Sequence, residues 1–170
     1  MALIIETGAI VPNANSYATV QQLRDFAAAR GITVPADDTA CEHLLVKACD
    51  YIGAQEHRFK GTRVSPMQPL SWPRNGVCLF GAKFANDAIP VQVIAGQCQL
   101  AVSAQTIDLQ PSTDPSASRT KRDKVGPLET EYFSASENAG NYSQPVIAAA
   151  DAIMAELYKA ARFSIVVGRA

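Results

Sequence analysis

The sequence predicts a mainly α-helical protein: a bundle of about four helices with one or two small β-hairpins and extended loops or arms. Apolar residues recur at helical spacing in four separate segments. Stretches rich in glycine, proline and polar residues separate those segments. The chain has 170 residues, 48% hydrophobic and 18% charged, which suffices for one domain with a buried core.

We expect a single domain over residues 1–170. Its helical core is predicted to take residues 16–109 and 145–162, with a polar loop or arm over 110–144 and a C-terminal tail over 163–170. No apolar run approaches the roughly 20 residues of a membrane span, and the first residues lack a signal-peptide pattern. We therefore expect a protein made in the cytoplasm, without a membrane partner.

The first two helices are predicted from caps and apolar spacing. Helix one should run over about 17–30, because Ser16 and Thr19 are both N-cap residues and Gly31 can end the element. Helix two should run over about 38–55. The short link between them predicts an antiparallel helical hairpin.

A small hairpin and the central helix come next. Residues 76–84 have the turn and apolar pattern of a hairpin. Helix three is predicted over 89–109, with Pro90 in its first turn, where a missing N–H costs nothing. No charged residue lies between Asp87 and Asp108. This helix should therefore be the most buried one.

The last third of the chain mixes polar segments with two further elements. Residues 120–133 suggest two short strands broken at Gly126 and Pro127. Helix four is predicted over 145–161. The apolar tail Phe163–Val167 could be a closing strand or an arm for a partner.

The sequence lacks the signatures of catalysis and of cofactor or metal binding. Three of the four cysteines, Cys41, Cys49 and Cys98, fall on apolar helix faces, which favours buried free thiols. Residues 76–83 resemble a P-loop, but Ala82 separates the second glycine from the lysine. We therefore expect a protein that is not an enzyme and has no cofactor.

The connection between helices two and three is a proline-rich basic loop, residues 58–76, with the only tryptophan. Residues 57–86 contain five bases and no acid, whereas residues 1–56 contain seven acids and three bases. This polarity favours head-to-tail association or docking on a charged partner, although solvated loop charge also explains it. Trp72 either fills the monomer's own core or contacts a partner.

The same loop has the composition of a surface for single-stranded nucleic acid. Against that interpretation, the net charge is −1 and no DNA- or RNA-binding module is recognisable. The bases and aromatic residues that alternate over residues 58–83 are Arg58, Lys60, Arg63, Arg74 and Lys83 with Phe59, Trp72 and Phe80. A second basic cluster comprises Arg119, Lys121, Arg122 and Lys124.

Five short motifs carry a resemblance to a known family. They are Ser16–Val20, Arg58–Arg63, Leu70–Arg74, Ile89-Pro90 and Lys124–Phe133. In this order they resemble the head–tail connector proteins (adaptor or head-completion proteins) of long-tailed bacteriophages, members of which are sometimes labelled DnaT-like single-stranded-DNA-binding proteins. The Trp-Pro-Arg element is the most specific of these motifs.

The resemblance implies a helical virion protein of the head–tail neck, made in the bacterial host cytoplasm and not an enzyme. Its copies would form a ring, usually dodecameric, between the portal protein and a tail-side connector or terminator protein. Genomic double-stranded DNA would pass through the ring without sequence-specific binding. The alternative is a single-stranded-DNA-binding protein of phage replication.

The candidate contact residues follow from this interpretation. Charge reversal at Arg63 or Arg74 should then impair assembly and leave the monomer folded. The second basic cluster would line the channel or a loop. The candidate subunit or portal contacts are Arg58, Phe59, Arg63, Trp72, Arg74, Phe163, Ile165 and Val167.

Overall fold

Two compact units make up the chain. The helical unit comprises Met1–Leu109 and Val146–Ala170, and the hairpin unit comprises Gln110–Pro145. The computed structural model describes residues 2–111, 122–125, 128–131 and 146–159.

The fold class is confirmed, because helices dominate and the strands form small antiparallel pairs. The helices are α1 (Val20–Ala28), α2 (Asp38–Ala54), α3 (Val91–Ser103) and α4 (Ala148–Met154), with 3₁₀ turns at Glu56–Arg58 and Ala155–Leu157. The strands of the described residues pair as β1 (Thr62–Arg63) with β2 (Arg74–Asn75), β3 (Cys78–Leu79) with β4 (Ala82–Lys83), and β5 (Arg122–Val125) with β6 (Leu128–Glu131).

Helix one is shorter than predicted at its start because Thr19, not Ser16, is the cap. The Thr19 hydroxyl accepts from the Gln22 backbone N–H, and the Gln22 side chain accepts from the Thr19 N–H. This reciprocal pair satisfies two N–H groups and fixes Val20 as the first helical residue. Helix two has the predicted position within one residue.

Helix three ends earlier than predicted. Beyond Ser103 the backbone changes to turn bonds, with the Thr106 N–H and the Ile107 N–H both donating to the Ser103 carbonyl. Its central position is confirmed, since α3 packs against α1, α2 and α4. Gly96 allows α3 to pack closely against α4, because a Cβ atom at this position would lie 2.7 Å from the Met154 side chain.

Helix four is also shorter than predicted, since it starts at Ala148 and gives way to a 3₁₀ turn after Met154. The chain then becomes extended and pairs with the basic loop, Tyr158 opposite Phe59. Bonds from Lys60 N–H to the Leu157 carbonyl, 2.8 Å, and from Lys159 N–H to the Arg58 carbonyl, 2.8 Å, hold this bridge. Tertiary hydrogen bonds here replace the helical ones that the periodicity predicts.

The predicted hairpins over 76–84 and 120–133 are confirmed.

Cys41, Cys49 and Cys98 are buried free thiols, as predicted. Burial raises the pKa of Cys49 and of Cys98 to about 12, so both stay protonated at neutral pH. No helix among the described residues is long and apolar enough to cross a membrane.

Candidate functional site

The two aromatic residues of the basic loop anchor it in the core. Phe59 and Trp72 are both 0% exposed, and their ring centroids lie 5.7 Å apart in an edge-to-face arrangement. Phe59 also stacks on Tyr158, with centroids 5.5 Å apart. Trp72 therefore fills the monomer's own core, which is one of the two roles that the sequence leaves open. Neither ring offers a face to a base or to a partner in this conformation.

Arg74 connects the first and last parts of the loop by hydrogen bonds. Its side chain is 5% exposed and donates to the carbonyl oxygens of Lys60 (2.8 Å), Gly61 (2.9 Å) and Ser71 (3.1 Å). It also pairs with Glu56 at 3.2 Å. A buried guanidinium with this many acceptors is a scaffold element of the monomer.

The Glu56 carboxylate also pairs with a second arginine, Arg63. Arg63 donates through Nε to Glu56 Oε1 at 2.7 Å, and through a terminal nitrogen to the Gln68 carbonyl at 2.8 Å. The hydrogen bond from Arg63 and the smaller effect of Arg74 hold the pKa of the Glu56 carboxyl below its usual range, although partial burial opposes them. Two loop arginines thus share the single negative charge of Glu56.

The remaining loop bases in this region have partners on the last helical segment. Arg58 pairs with Asp151 at 3.3 Å, and its guanidinium lies 4.0 Å from the Tyr158 ring centroid. Lys60 pairs with Glu156 at 2.8 Å. Four of the five bases of residues 57–86 therefore have an acidic partner inside the monomer, and three carboxylates serve these four bases. A role for Arg58, Arg63 or Arg74 in subunit or portal contacts stays a prediction.

We expect the Glu56 pairing to make the fold acid-sensitive. The pKa of Glu56 is lower in the folded protein than in the unfolded chain. The ion pairs of Glu56 therefore stabilise the fold fully at pH values above the unfolded pKa, about 4.3 for glutamate. That stability is lost as the pH falls through the folded pKa. Urea unfolding midpoints of the wild type and of Glu56→Gln should therefore converge as the pH falls from neutral.

The matched control is Glu42→Gln, since Glu42 has no ion-pair partner among the described residues. That variant should unfold close to the wild type at every pH. A stability gap for Glu56→Gln that stays constant between neutral and acidic pH would contradict the assignment.

A patch that we name the hairpin end remains exposed. It consists of Phe80 and Lys83 on the β3–β4 hairpin with the half-buried Lys60 beside them. The Lys60 ammonium donates to the Cys78 carbonyl at 3.4 Å. The same ammonium binds Glu156 Oε1 at 2.8 Å. These bonds bring residues from three separate stretches of chain together.

Phe80 is the most unusual residue of the hairpin end. Its side chain is 76% exposed, and its φ of 51° precedes a Gly81 φ of 81°, as in a type I′ turn. Its backbone N–H donates to Glu156 Oε1 at 3.2 Å, and the same oxygen binds Lys60. A bulky side chain at positive φ costs backbone energy, and here it gains no burial. This combination points to a contact outside the monomer.

Sequence reasoning named Phe80, Lys60 and Lys83 but missed Glu156, which accepts from the Lys60 ammonium and from the Phe80 N–H. No local signal marks Glu156, because it lies 96 residues beyond Lys60. The sequence also placed Phe59 and Trp72 with the stacking residues, whereas both are in the core.

Several predicted site residues fall elsewhere. Arg122 and Lys124 lie on β5, and the register places Glu131 and Glu129 directly opposite them. Outside the described residues lie Phe163, Ile165, Val167, Arg119 and Lys121.

The family model described as "Putative DnaT-like ssDNA binding protein" matches residues 1–170. The chain belongs to this family. Searches of curated proteins and of solved structures return no significant match. Membership of the DnaT-like family supports the single-stranded-DNA interpretation more directly than the connector interpretation.

Among the described residues, no cluster of His, Cys, Asp and Glu side chains could hold a metal ion.

Proposed function

We propose that the protein binds single-stranded DNA, without catalysis or a cofactor, and that the hairpin end is the contact surface. The observation that carries the proposal is membership, over the whole chain, of a family described by single-stranded-DNA binding. The geometry supports it with an exposed aromatic ring held beside lysines. This combination suits a strand whose bases stack and whose phosphates need cations.

Phe80 is the proposed stacking platform. Its type I′ turn and the hydrogen bond to Glu156 hold the hairpin backbone before DNA arrives. Less ordering is then needed on binding, which favours affinity. A base stacked on such a ring contributes about 1–3 kcal/mol and any base can serve, so binding should tolerate sequence changes.

The electrostatic part of binding should be modest. Glu156 already compensates Lys60, which leaves Lys83 as the lysine of the hairpin end without an acidic partner in the described structure. One phosphate contact predicts a log–log salt slope of about −0.7 for a single strand. We therefore expect weak binding led by stacking, in keeping with the net charge of −1.

Fluorescence anisotropy with labelled oligo-dT tests the proposal. Phe80→Ala should weaken binding roughly 5- to 150-fold, the equivalent of one stacked base. Phe80→Trp should retain or improve affinity, because the larger ring still stacks. Lys83→Ala should weaken binding less and make the salt slope shallower by about 0.7.

Met67→Ala is the matched control, because Met67 is another exposed apolar side chain, at 86%, on a different loop. It should bind oligo-dT like the wild type, and circular dichroism melts should match for all variants. If Phe80→Ala binds as well as the wild type, or if no salt-sensitive binding occurs, the proposed surface is wrong.

A second candidate is the head–tail connector ring, and the hairpin unit favours it. In the described residues this unit contains one two-stranded sheet, β5 with β6. By itself a two-stranded sheet is at best marginally stable in water, and an assembly would supply stabilising contacts. The partners would be other copies, the portal protein, a tail-side connector protein and the DNA in the channel, in the virion neck.

Mass spectrometry of purified virions distinguishes the two candidates. The connector function requires the protein in virions at ring stoichiometry. Its absence from virions, together with oligo-dT binding that depends on Phe80, would eliminate the connector and leave the DNA-binding proposal.

A further inference from the structure

One oxygen atom of the hairpin end accepts two hydrogen bonds beside the exposed ring. Glu156 Oε1 lies 2.8 Å from the Lys60 ammonium and 3.2 Å from the Phe80 backbone nitrogen. The hydrogen bond from Lys60 and the smaller effect of the Phe80 N–H hold the pKa of the Glu156 carboxyl below its usual range, so this group is ionised at neutral pH. A cation and a backbone N–H therefore converge on one anionic oxygen.

These two donors suit a phosphate as well as a carboxylate. Lysines and backbone N–H groups supply many of the phosphate contacts that proteins make with DNA. Solvent and ligands reach the pair, because the side chains of Lys60 and Glu156 are 29% and 36% exposed. An ion pair with this exposure stabilises a fold little, so its exchange for another anion costs little.

The two donors also lie in the right place for a nucleotide. The N–H donor belongs to Phe80, whose ring is exposed and is the proposed stacking platform. A phosphate at this N–H and a base on this ring would be neighbouring parts of one strand, joined through a sugar.

The hairpin has other bonds that hold it when Glu156 leaves. The Lys60 ammonium also donates to the Cys78 carbonyl at 3.4 Å, and the Phe84 N–H donates to the Val77 carbonyl at 2.9 Å. Leu79, the residue before Phe80, is buried in the core. The carboxylate can therefore move away while the lysine and the ring stay in place.

We propose that the Lys60 ammonium and the Phe80 N–H form a phosphate subsite, which the Glu156 carboxylate occupies in the free protein. Glu156 competes with the DNA phosphate and so limits the affinity for single-stranded DNA. The proposal rests on the DNA-binding function of the hairpin end and adds the residue that restrains it. In the wild type Lys60 and Glu156 together have no net charge, so Lys83 provides the salt-dependent part of binding.

Glu156→Gln in the full-length protein tests the competition. The glutamine oxygen still accepts from the Phe80 N–H, whereas the negative charge that competes for Lys60 is gone. The affinity for oligo-dT at about 50 mM salt should rise roughly 2- to 5-fold, the range for one exposed ion pair. The log–log salt slope should steepen from about −0.7 to about −1.4, because Lys60 adds a second phosphate contact.

Two further variants separate this effect from net charge and from folding. Glu42→Gln makes the same substitution on the first half of α2, where Glu42 has no ion pair among the described residues, and should bind oligo-dT like the wild type. The double variant Lys60→Met/Glu156→Gln removes both charges and should restore the wild-type affinity and salt slope. All three variants should melt like the wild type in circular dichroism.

A merely structural Glu156 would leave the salt slope unchanged when it is replaced by glutamine. The proposal is therefore overturned if Glu156→Gln binds oligo-dT with the wild-type affinity and slope. It is also overturned if the gain in affinity persists in the double variant, since Lys60 would then not be the group released.

An NMR titration with inorganic phosphate examines the subsite without DNA. Phosphate should shift the Phe80 amide resonance of Glu156→Gln and should shift that of the wild type far less. Such a shift without oligo-dT binding by any variant would support the subsite and refute the DNA-binding function. Oligo-dT binding that depends on Phe80, with neither the phosphate shift nor the gain in affinity, would refute the subsite and support the DNA-binding function.

Discussion

Replacing Arg74 by glutamate should prevent the helical unit from folding. The side chain is 5% exposed and faces three carbonyl oxygens and the Glu56 carboxylate. A carboxylate there would meet only acceptors and a like charge, with little water to screen them. Removing one partner of a buried ion pair costs about 3–5 kcal/mol, which is a large part of the stability of a small domain.

Urea unfolding and gel filtration measure this effect. Arg74→Glu should be unfolded or aggregated, and Arg74→Lys should fold with reduced stability, because an ammonium cannot reach all four acceptors at once. The control is Arg63→Glu, since Arg63 binds the same Glu56 but its side chain is 36% exposed. That variant should lose far less stability.

This result differs from the expectation drawn from the sequence, in which charge reversal at either arginine leaves the monomer folded. The structure changes the expectation for Arg74, because its guanidinium is inside the loop rather than on its surface. A folded, soluble Arg74→Glu variant that fails only in assembly would restore the original expectation.

Gln97→Ala should cause the second large loss of stability. Gln97 is 0% exposed on α3, and its side-chain oxygen accepts from the backbone N–H groups of Tyr17 and Ala18, both at 2.9 Å. Its amide donates to the Ser16 hydroxyl at 2.8 Å and to the Leu45 carbonyl at 2.9 Å. One side chain thus connects the entry of α1 with α2 and α3.

Truncation would leave buried polar groups without partners and create a cavity. We expect a loss of about 3–5 kcal/mol, since each buried unsatisfied group costs about 1–3 kcal/mol and some relaxation occurs. Urea unfolding followed by circular dichroism measures it. Gln99→Ala, two residues along the same helix and only half-buried, controls for helix propensity and should change stability by less than about 0.5 kcal/mol. A comparable loss in both variants would contradict the role assigned to Gln97.

Local chemistry made much of the fold predictable. Helical spacing indicated the four helices, and the N-terminal end of α2 follows from its aspartate cap, Asp37. Turn residues indicated both hairpins. The predicted helix ends failed where bonds to another segment replaced helical ones, as at Tyr158, which pairs with Phe59.

The candidate site was less predictable, because charge composition does not reveal pairing. The acids that compensate Arg58 and Lys60 lie 93 and 96 residues further along the chain. No pattern in residues 57–86 could indicate them. The same ion pairs distinguish the paired bases from Lys83, the exposed base on the hairpin.

The sequence by itself determined the helical class, the hairpins and the loop as the unusual feature between α2 and α3, because caps, turns and periodicity act over a few residues. Only the tertiary structure decided which parts of that loop and of the hairpin after it face solvent. Packing buries Phe59, Trp72 and Arg74 and leaves Phe80 exposed, because burial and ion pairing depend on segments that are distant in the chain and adjacent only after folding.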